Sequence, residues 1–250
     1  MGTNIVLAGM VLQALPIGEY DKRVTILTKE RGKIAAFARG VRRPGNMMMA
    51  ATNPFAFGEF ELYQGRSTYN VTRTSVSNYF RDLASDYDTA CYGFYFLEMA
   101  EYFSMENENG ADLLNLLYLS LRALEKGTIG SRLVRAVFEW RMLLLNGTYP
   151  NVFTCLSCGG KEAFLMFDTA EAGMVCAKCA GKEKDFRGIR LSPSAVYAMQ
   201  YILSSPLEKL FTFTVSEKVL AELERTASVF YGAYINHRFK SQAFLPPGIS

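Results

Sequence analysis

Apolar and polar positions alternate with a period of two through the first third of the chain and recur at helical spacing through most of the remainder. Residues 5–13 form a short apolar strand, with a loop expected at 15–20. From 23 to 29, Val24, Ile26 and Thr28 point one way and Arg23, Thr25, Leu27 and Lys29 the other. Glu30-Arg31-Gly32 predicts a turn into a returning strand at 33–41. Its even positions Ile34, Ala36 and Ala38 are small and apolar, and its odd positions include Lys33, Phe37 and Arg39. Residues 55–63 and 68–78 supply two more strands around Gln64-Gly65-Arg66. Five short strands with one long loop at 44–54 fit a small closed barrel, of either the oligonucleotide-binding or the SH3-like kind.

After Phe80 the period changes. Helices are predicted over 82–105, 111–126 and 131–146, with Ser131 as an N-cap and Gly147 as the residue that ends the third. Ser192-Pro193 starts another helix, in the cap and first-turn positions that suit those residue types. A last helix is predicted over 216–240, followed by a loosely ordered tail at 241–250. Asp86 and Asp88 lie two apart on a helix and share no face, so they read as solvated acids at its N-terminus rather than a metal pair. The aromatic and leucine stripes read as helix core.

Charge divides the chain in the same place. Residues 1–80 hold ten basic and five acidic side chains, a net +5, while 81–250 carry a net −2 within an overall +3. With 250 residues, half of them hydrophobic, the chain can bury a sizeable core and is no candidate for general disorder. The basic residues cluster at Lys29, Arg31 and Lys33 and again at Arg39, Arg42 and Arg43. Phe37 lies between these groups on the strand face of Lys33 and Arg39. Cations bind phosphates and an aromatic among them can stack a base, so this surface is a candidate for nucleic acid. The Met-rich loop that follows Arg42-Arg43-Pro44-Gly45 is expected to be mobile until DNA orders it.

Four of five cysteines form Cys155-Leu156-Ser157-Cys158 and, 17 residues on, Cys176-Ala177-Lys178-Cys179. Two such pairs at this separation signal one zinc ion, against the alternatives of two disulfides or buried thiols. Four thiolates fill a tetrahedral site, so the ion would be structural. Cys91, in an aromatic helix, reads as core. There is no G-x-x-x-x-G-K-[ST] loop and no G-x-G-x-x-G after a strand, which argues against a P-loop nucleotidase and a dinucleotide-binding enzyme. The single histidine, His237, falls near the end of the last predicted helix and carries no catalytic signal. No signal peptide or membrane span is expected, which suits a cytoplasmic protein.

The order of these parts resembles the RecO family of bacterial recombination mediators and DNA repair proteins over nearly the full length. The resemblance rests on Pro16-Ile17-Gly18-Glu19-Tyr20-Asp21-Lys22-Arg23, on Ala38-Arg39-Gly40-Val41-Arg42-Arg43-Pro44, and on Glu59-Phe60-Glu61-Leu62-Tyr63. It continues through Phe138-Glu139-Trp140-Arg141-Met142-Leu143, the paired cysteines and Arg190-Leu191-Ser192-Pro193. It implies an α+β chain: a five-stranded OB-fold barrel over 1–80, then an all-helical domain over 81–250 with an inserted four-cysteine zinc segment at 150–185. It implies binding of single- and double-stranded DNA, annealing of complementary strands, and partnership with RecR. It further implies work on DNA coated by the single-stranded DNA-binding protein, loading of RecA, a nucleoid-associated place in the cytoplasm, and no bond-making catalysis. Lys22, Arg23, Lys33, Arg39, Arg42 and Arg43 would contact DNA. The helical domain would receive the acidic, Phe-ended tail of the single-stranded DNA-binding protein, with Arg132, Arg135 and Arg141 as candidate cations. The competing readings are a metal-assisted nucleic-acid-processing enzyme and a zinc-stabilised scaffold with an incidental basic face.

Overall fold

The computed structural model describes residues 2–66, 68–182 and 188–246. The chain divides into two compact units, residues 1–126 with 239–250, and residues 127–238. The last three residues of the expected zinc segment and the end of the expected tail lie outside the described residues.

In the first unit, β1 (Thr3–Ile17), β2 (Asp21–Thr28), β3 (Gly32–Ala38), β4 (Phe57–Gln64) and β5 (Tyr69–Asn78) close into a barrel in the order β1-β2-β3-β5-β4. This is an OB-like closure. It depends on a short parallel pairing of β3 with β5, Ala36 opposite Tyr69 and Phe37 opposite Asn70. β1 is long enough to serve two neighbours. Residues Thr3 to Met10 pair with β4, and Gly9 to Ile17 with β2, across a bulge between Val11 and Gln13 that turns the strand from one to the other. The loop expected at 15–20 is therefore shorter, because Leu15, Pro16 and Ile17 pair with Arg23, Lys22 and Asp21. Gly18, at φ +55°, makes the tight turn that remains.

Val11, Val24, Ile26, Ile34, Ala36, Phe60 and Leu62 fill the barrel, as the alternation on β2 and β3 predicts. Leu27, expected to face outward, is fully buried, because α2 (Tyr87–Phe103) and α3 (Ala111–Lys126) pack against β2. The intervening segment extends the β2–β3 hairpin: Lys33 N donates to Met105 O at 3.1 Å, Asn107 N to Arg31 O at 3.0 Å and Gly110 N to Lys29 O at 2.9 Å. Backbones approach so closely there that a Cβ on Gly110 would stand 2.3 Å from Thr28 O. The barrel thus ends near residue 80, but the compact unit runs on to residue 126.

The single helix predicted over 82–105 is broken. A short α1 (Arg81–Ser85) precedes α2, and Asp86, in extended conformation between them, caps α2 by accepting from Thr89 N. The first unit is completed by residues 239–246. Phe239 meets Tyr95 and Tyr102 edge-on, with ring centroids 5.8 and 5.6 Å apart. The Glu98 carboxylate accepts from Lys240 N at 2.9 Å, Ser241 N at 2.8 Å and the Ser241 hydroxyl.

The second unit is built on α4 (Ser131–Leu145), whose residues Ala136 to Leu143 are all buried. Gly130, rather than Ser131, occupies its N-cap. The inserted segment is a small sheet of β6 (Asn151–Cys155), β7 (Phe164–Asp168), β8 (Gly173–Cys176) and β9 (Ile189–Arg190) in the order β6-β8-β7-β9, with the one-turn α5 (Ala177–Ala180) after β8. α6 (Pro193–Ser204) starts at the expected Ser192 cap. α7 (Glu217–Tyr234) stops short of the predicted 240, because Ile235 turns extended and the chain returns to the first unit. His237 therefore lies beyond the helix. Phe230 on α7 ties the unit together, 6.1 Å from Trp140 and 6.0 Å from Phe167. Among the described residues, no helix is long and apolar enough to cross a membrane.

Candidate nucleic-acid interface and metal centre

The barrel register assembles a row of outward side chains across its strands. Leu15 stands beside Arg23, Arg23 beside Phe37, Phe37 beside Asn70 and Asn70 beside Tyr63. Residues opposed in this way share a sheet face. Arg23, Leu15 and Tyr63 are exposed and Phe37 is half-buried. Arg39 leans over the row, its Nε donating to Asn70 Oδ1 at 3.3 Å. The result is a cation–aromatic strip with two rings and two guanidiniums, the combination that holds a backbone and stacks bases.

Two more cations stand at the root of the 44–54 loop. Arg42 Nη1 donates to Gly18 O at 3.2 Å, and the Arg43 guanidinium lies 5.3 Å from the centre of the Tyr20 ring. The other candidates are placed differently. Lys29 is exposed at the β2–β3 turn. Arg31 donates to Gln64 Oε1 and Tyr69 OH, both at 2.9 Å, tying two turns together. Lys33 Nζ donates to Glu101 O at 2.7 Å at the C-terminal end of α2. Lys33 and Phe37 share a face but stand about 13 Å apart along the strand.

Lys22 braces the loop itself. Its Nζ reaches Asn53 Oδ1 at 2.6 Å, Met49 O at 3.2 Å and Thr52 Oγ1 at 3.3 Å. Burial, with Arg42 nearby, lowers its pKa from the ordinary lysine value. The loop expected to be mobile leads straight into a backbone tie to β1, with Phe55 N bonded to Val11 O at 3.0 Å and Val11 N to Ala56 O at 3.0 Å. Lys22→Ala is expected to free it at a cost of about 1–2 kcal/mol. Limited proteolysis should then cleave within 44–54 several times faster than in the wild type; an unchanged rate would show that the backbone bonds suffice.

In the second unit, the sulfurs of Cys155, Cys158, Cys176 and Cys179 all lie within 4.8 Å of one another. Cys158 Sγ and Cys176 Sγ are 3.9 Å apart. Four sulfurs at a zinc–thiolate distance of about 2.3 Å stand about 3.8 Å apart at the corners of a tetrahedron, so the group fits one such ion. Folding explains the approach. Gly159, at φ +70°, lets the first pair turn back, with Gly159 N on Cys155 O at 2.9 Å. β8 then delivers Cys176, whose amide donates to Cys155 Sγ at 3.3 Å, and α5 delivers Cys179. Burial raises the Cys155 pKa, but amide donors from Cys176, Cys158 and Ser157 outweigh it and bring it down to about 6. The Cys179 thiol, hydrogen-bonded by Cys176 and Cys158, is pushed up to about 12. Cys91 is separate and buried.

The three candidate arginines of the second unit are engaged within it. Arg132 pairs with Glu217 and Glu224, and Arg135 lies 3.5 Å from Glu224 and 3.4 Å from Glu139. The Glu224 carboxylate, with Glu217 beside it, raises the Arg132 pKa still further. Arg141 is buried, its Nη1 donating to Ile202 O at 3.2 Å and Ser205 O at 3.1 Å at the end of α6. None of the three forms an open cationic face. A feature that composition does not announce lies nearby: an open cleft of about 760 Å³ walled by Pro193, Tyr197, Tyr201, Phe213, Val215 and Val219. Tyr63 and Asn70 were likewise missed, because only the β3–β5 pairing brings them beside Phe37.

Known proteins are similar to this one over nearly the whole chain. The family model described as Recombination protein O N terminal matches residues 1–80, and that described as Recombination protein O C terminal matches residues 84–243. The chain is 31% identical to DNA repair protein RecO of Acetivibrio thermocellus over 95% of this chain and 94% of that one. It is 29% identical to DNA repair protein RecO of Alkaliphilus metalliredigens over 91% and 92% of the two chains. It is 27% identical to DNA repair protein RecO of Bacillus subtilis over 95% and 92%. The two family models together span residues 1–80 and 84–243, and the chain belongs to the RecO family.

Proposed function

We propose that the protein is a recombination mediator in DNA repair that holds single- and double-stranded DNA on its barrel and pairs complementary strands. The observation that carries this is the outward row Arg23, Phe37, Asn70 and Tyr63 with Arg39 across it, continued by Arg42 and Arg43. Cations on this strip screen phosphate repulsion while the rings keep bases apart and open to a second strand. No bond is made or broken. Family membership supports partners in the recombination machinery. RecR and the single-stranded DNA-binding protein are the proposed ones, with RecA loaded as a consequence, in the cytoplasm near the nucleoid. The apolar cleft at Tyr197, Tyr201 and Phe213 suits the Phe-ended tail of the single-stranded DNA-binding protein better than the paired Arg132 and Arg135 or the buried Arg141 do.

The metal is proposed to be a single zinc ion on Cys155, Cys158, Cys176 and Cys179. With four thiolates its coordination is complete, so it would stiffen the β6–β8 end of the segment and supply no chemistry of its own.

Wild-type protein is expected to bind labelled oligonucleotides with little sequence preference and to speed annealing of strands coated by the single-stranded DNA-binding protein, more so with RecR. Arg39→Ala combined with Arg42→Ala should flatten the dependence of log affinity on log salt by roughly one unit per lost phosphate contact. An unchanged slope would remove these two residues from the interface, and failure of the wild type to bind at low salt would favour a protein scaffold.

A further inference from the structure

We infer that Met47 is a wedge that unstacks bases in DNA held by Arg42 and Arg43, an inference that rests on the DNA-binding reading of the barrel. The loop carries three consecutive methionines, and they face different ways. Met48 packs on the barrel core, whereas Met47 is 95% exposed. Its exposure is not that of a loose tip. Asn46 Nδ2 donates to Gly40 O at 3.0 Å, Asn46 Oδ1 accepts from Met48 N at 2.8 Å, and Met49 N donates to Asn46 O at 3.2 Å. The Thr52 hydroxyl donates to Met48 O at 3.0 Å, and Lys22 holds Met49 O from the barrel side. The backbone on both sides of Met47 is therefore braced, and little ordering remains for it to undergo on binding.

The surroundings select the ligand. Met49, Tyr20 and Ile17 are partly exposed at this end of the barrel, but the charges at the loop root are the guanidiniums fixed on Gly18 O and on the Tyr20 ring, which favour a polyanion over an apolar protein surface. A slender, exposed apolar tip on a backbone tied to Arg43, with Asn46 N on Arg43 O at 3.1 Å, matches a polyanion whose only apolar entrance is the gap between successive bases. Methionine is among the side chains that enter such gaps, and its flexible, polarisable thioether packs well against aromatic faces. A mediator that must bind duplex as well as single strands, and then pair them anew, gains from a fixed point at which stacking is interrupted.

The test uses full-length protein and DNA carrying 2-aminopurine, which brightens when unstacked. Wild-type protein is expected to brighten the probe on binding. Met47→Ala should lose most of that brightening and about fivefold in affinity while keeping its salt slope. Met47→Leu should retain the brightening, and Met47→Lys should lose it although the added charge preserves affinity. The exposed position leaves folding undisturbed, which thermal melts of each variant check. If wild-type protein binds without brightening, or Met47→Ala brightens the probe as fully as wild type, the wedge is wrong and the DNA-binding reading stands. If Met47→Ala keeps the brightening but no longer captures RecR, Met47 belongs to a protein interface and the wedge is again overturned. Absence of wild-type binding at low salt would instead defeat the underlying reading.

Discussion

Protein stripped of metal by a chelator under reducing conditions is expected to become open to protease across β6, β8 and α5 while its barrel stays intact. The four sulfurs sit within 4.8 Å of one another, and without a cation their charges and lone pairs repel. Structural zinc on such a set contributes on the order of 10 kcal/mol, more than a sheet of four short strands gains from its own pairing. The loss should be graded. Cys155, Val175, Cys176 and Cys179 form a small cluster of their own, with Phe164 and Met166 against it. Phe167, by contrast, packs 6.0 Å from Phe230 on α7, and Gln200 Nε2 donates to Val152 O at 2.7 Å. Cleavage should therefore start in the turn after Cys158 and around α5, and reach Phe167 on β7 last. Cys176→Ser should reproduce the effect without chelator. Proteolysis unaltered by either treatment would mean that the cysteines hold no metal, and equally rapid cutting in the barrel would mean that the two units are not independent in stability.

Arg141→Met is expected to lower stability by about 3 kcal/mol, although methionine keeps most of the volume. Arg141 is 8% exposed, and its guanidinium closes the C-terminal end of α6 by donating to carbonyls that have no helical partner. Removing it leaves those oxygens buried without a donor. For a chain of this size the change corresponds to a fall in melting temperature of about 10 °C. Urea denaturation followed by Trp140 fluorescence reads the same unit, since Trp140 is fully buried next to it on α4. A loss below about 1 kcal/mol would show that water or a shifted α6 satisfies the carbonyls instead.

The strand pattern could be read where one face was buried and the other wet. Ile34, Ala36 and Ala38 entered the core as their spacing required. Leu27 did not behave as an outward residue, because the helices that cover it come from more than 60 residues further on, and alternation carries no sign of them. Asp86 read as a solvated acid in the N-terminal part of one helix starting at 82, yet its side chain caps a new helix by accepting from Thr89 N, so one predicted helix became two. The cysteine spacing alone was enough to foresee the cluster, since four ligands in two short turns leave few alternatives. The basic residues were harder. Their number was legible, but whether each faces solvent, as Arg23 does, or is bonded to a neighbouring turn, as Arg31 is, depends on contacts between strands. The row from Arg23 to Tyr63 required the β3–β5 pairing, which joins residues some 30 positions apart in a parallel register that no local signal announces.

The chain leaves its first unit at residue 126 and re-enters it at residue 239. During synthesis, then, the barrel and its helices emerge from the ribosome well before Phe239 can settle between Tyr95 and Tyr102 or Glu98 can receive Lys240 and Ser241. At ordinary elongation speeds that interval is on the order of ten seconds. Throughout it, an aromatic face on α2 waits without its cover, open to sticking elsewhere unless a chaperone shields it. Truncation before residue 239 would make that waiting state permanent, turning a passing stage of translation into the final form of the molecule.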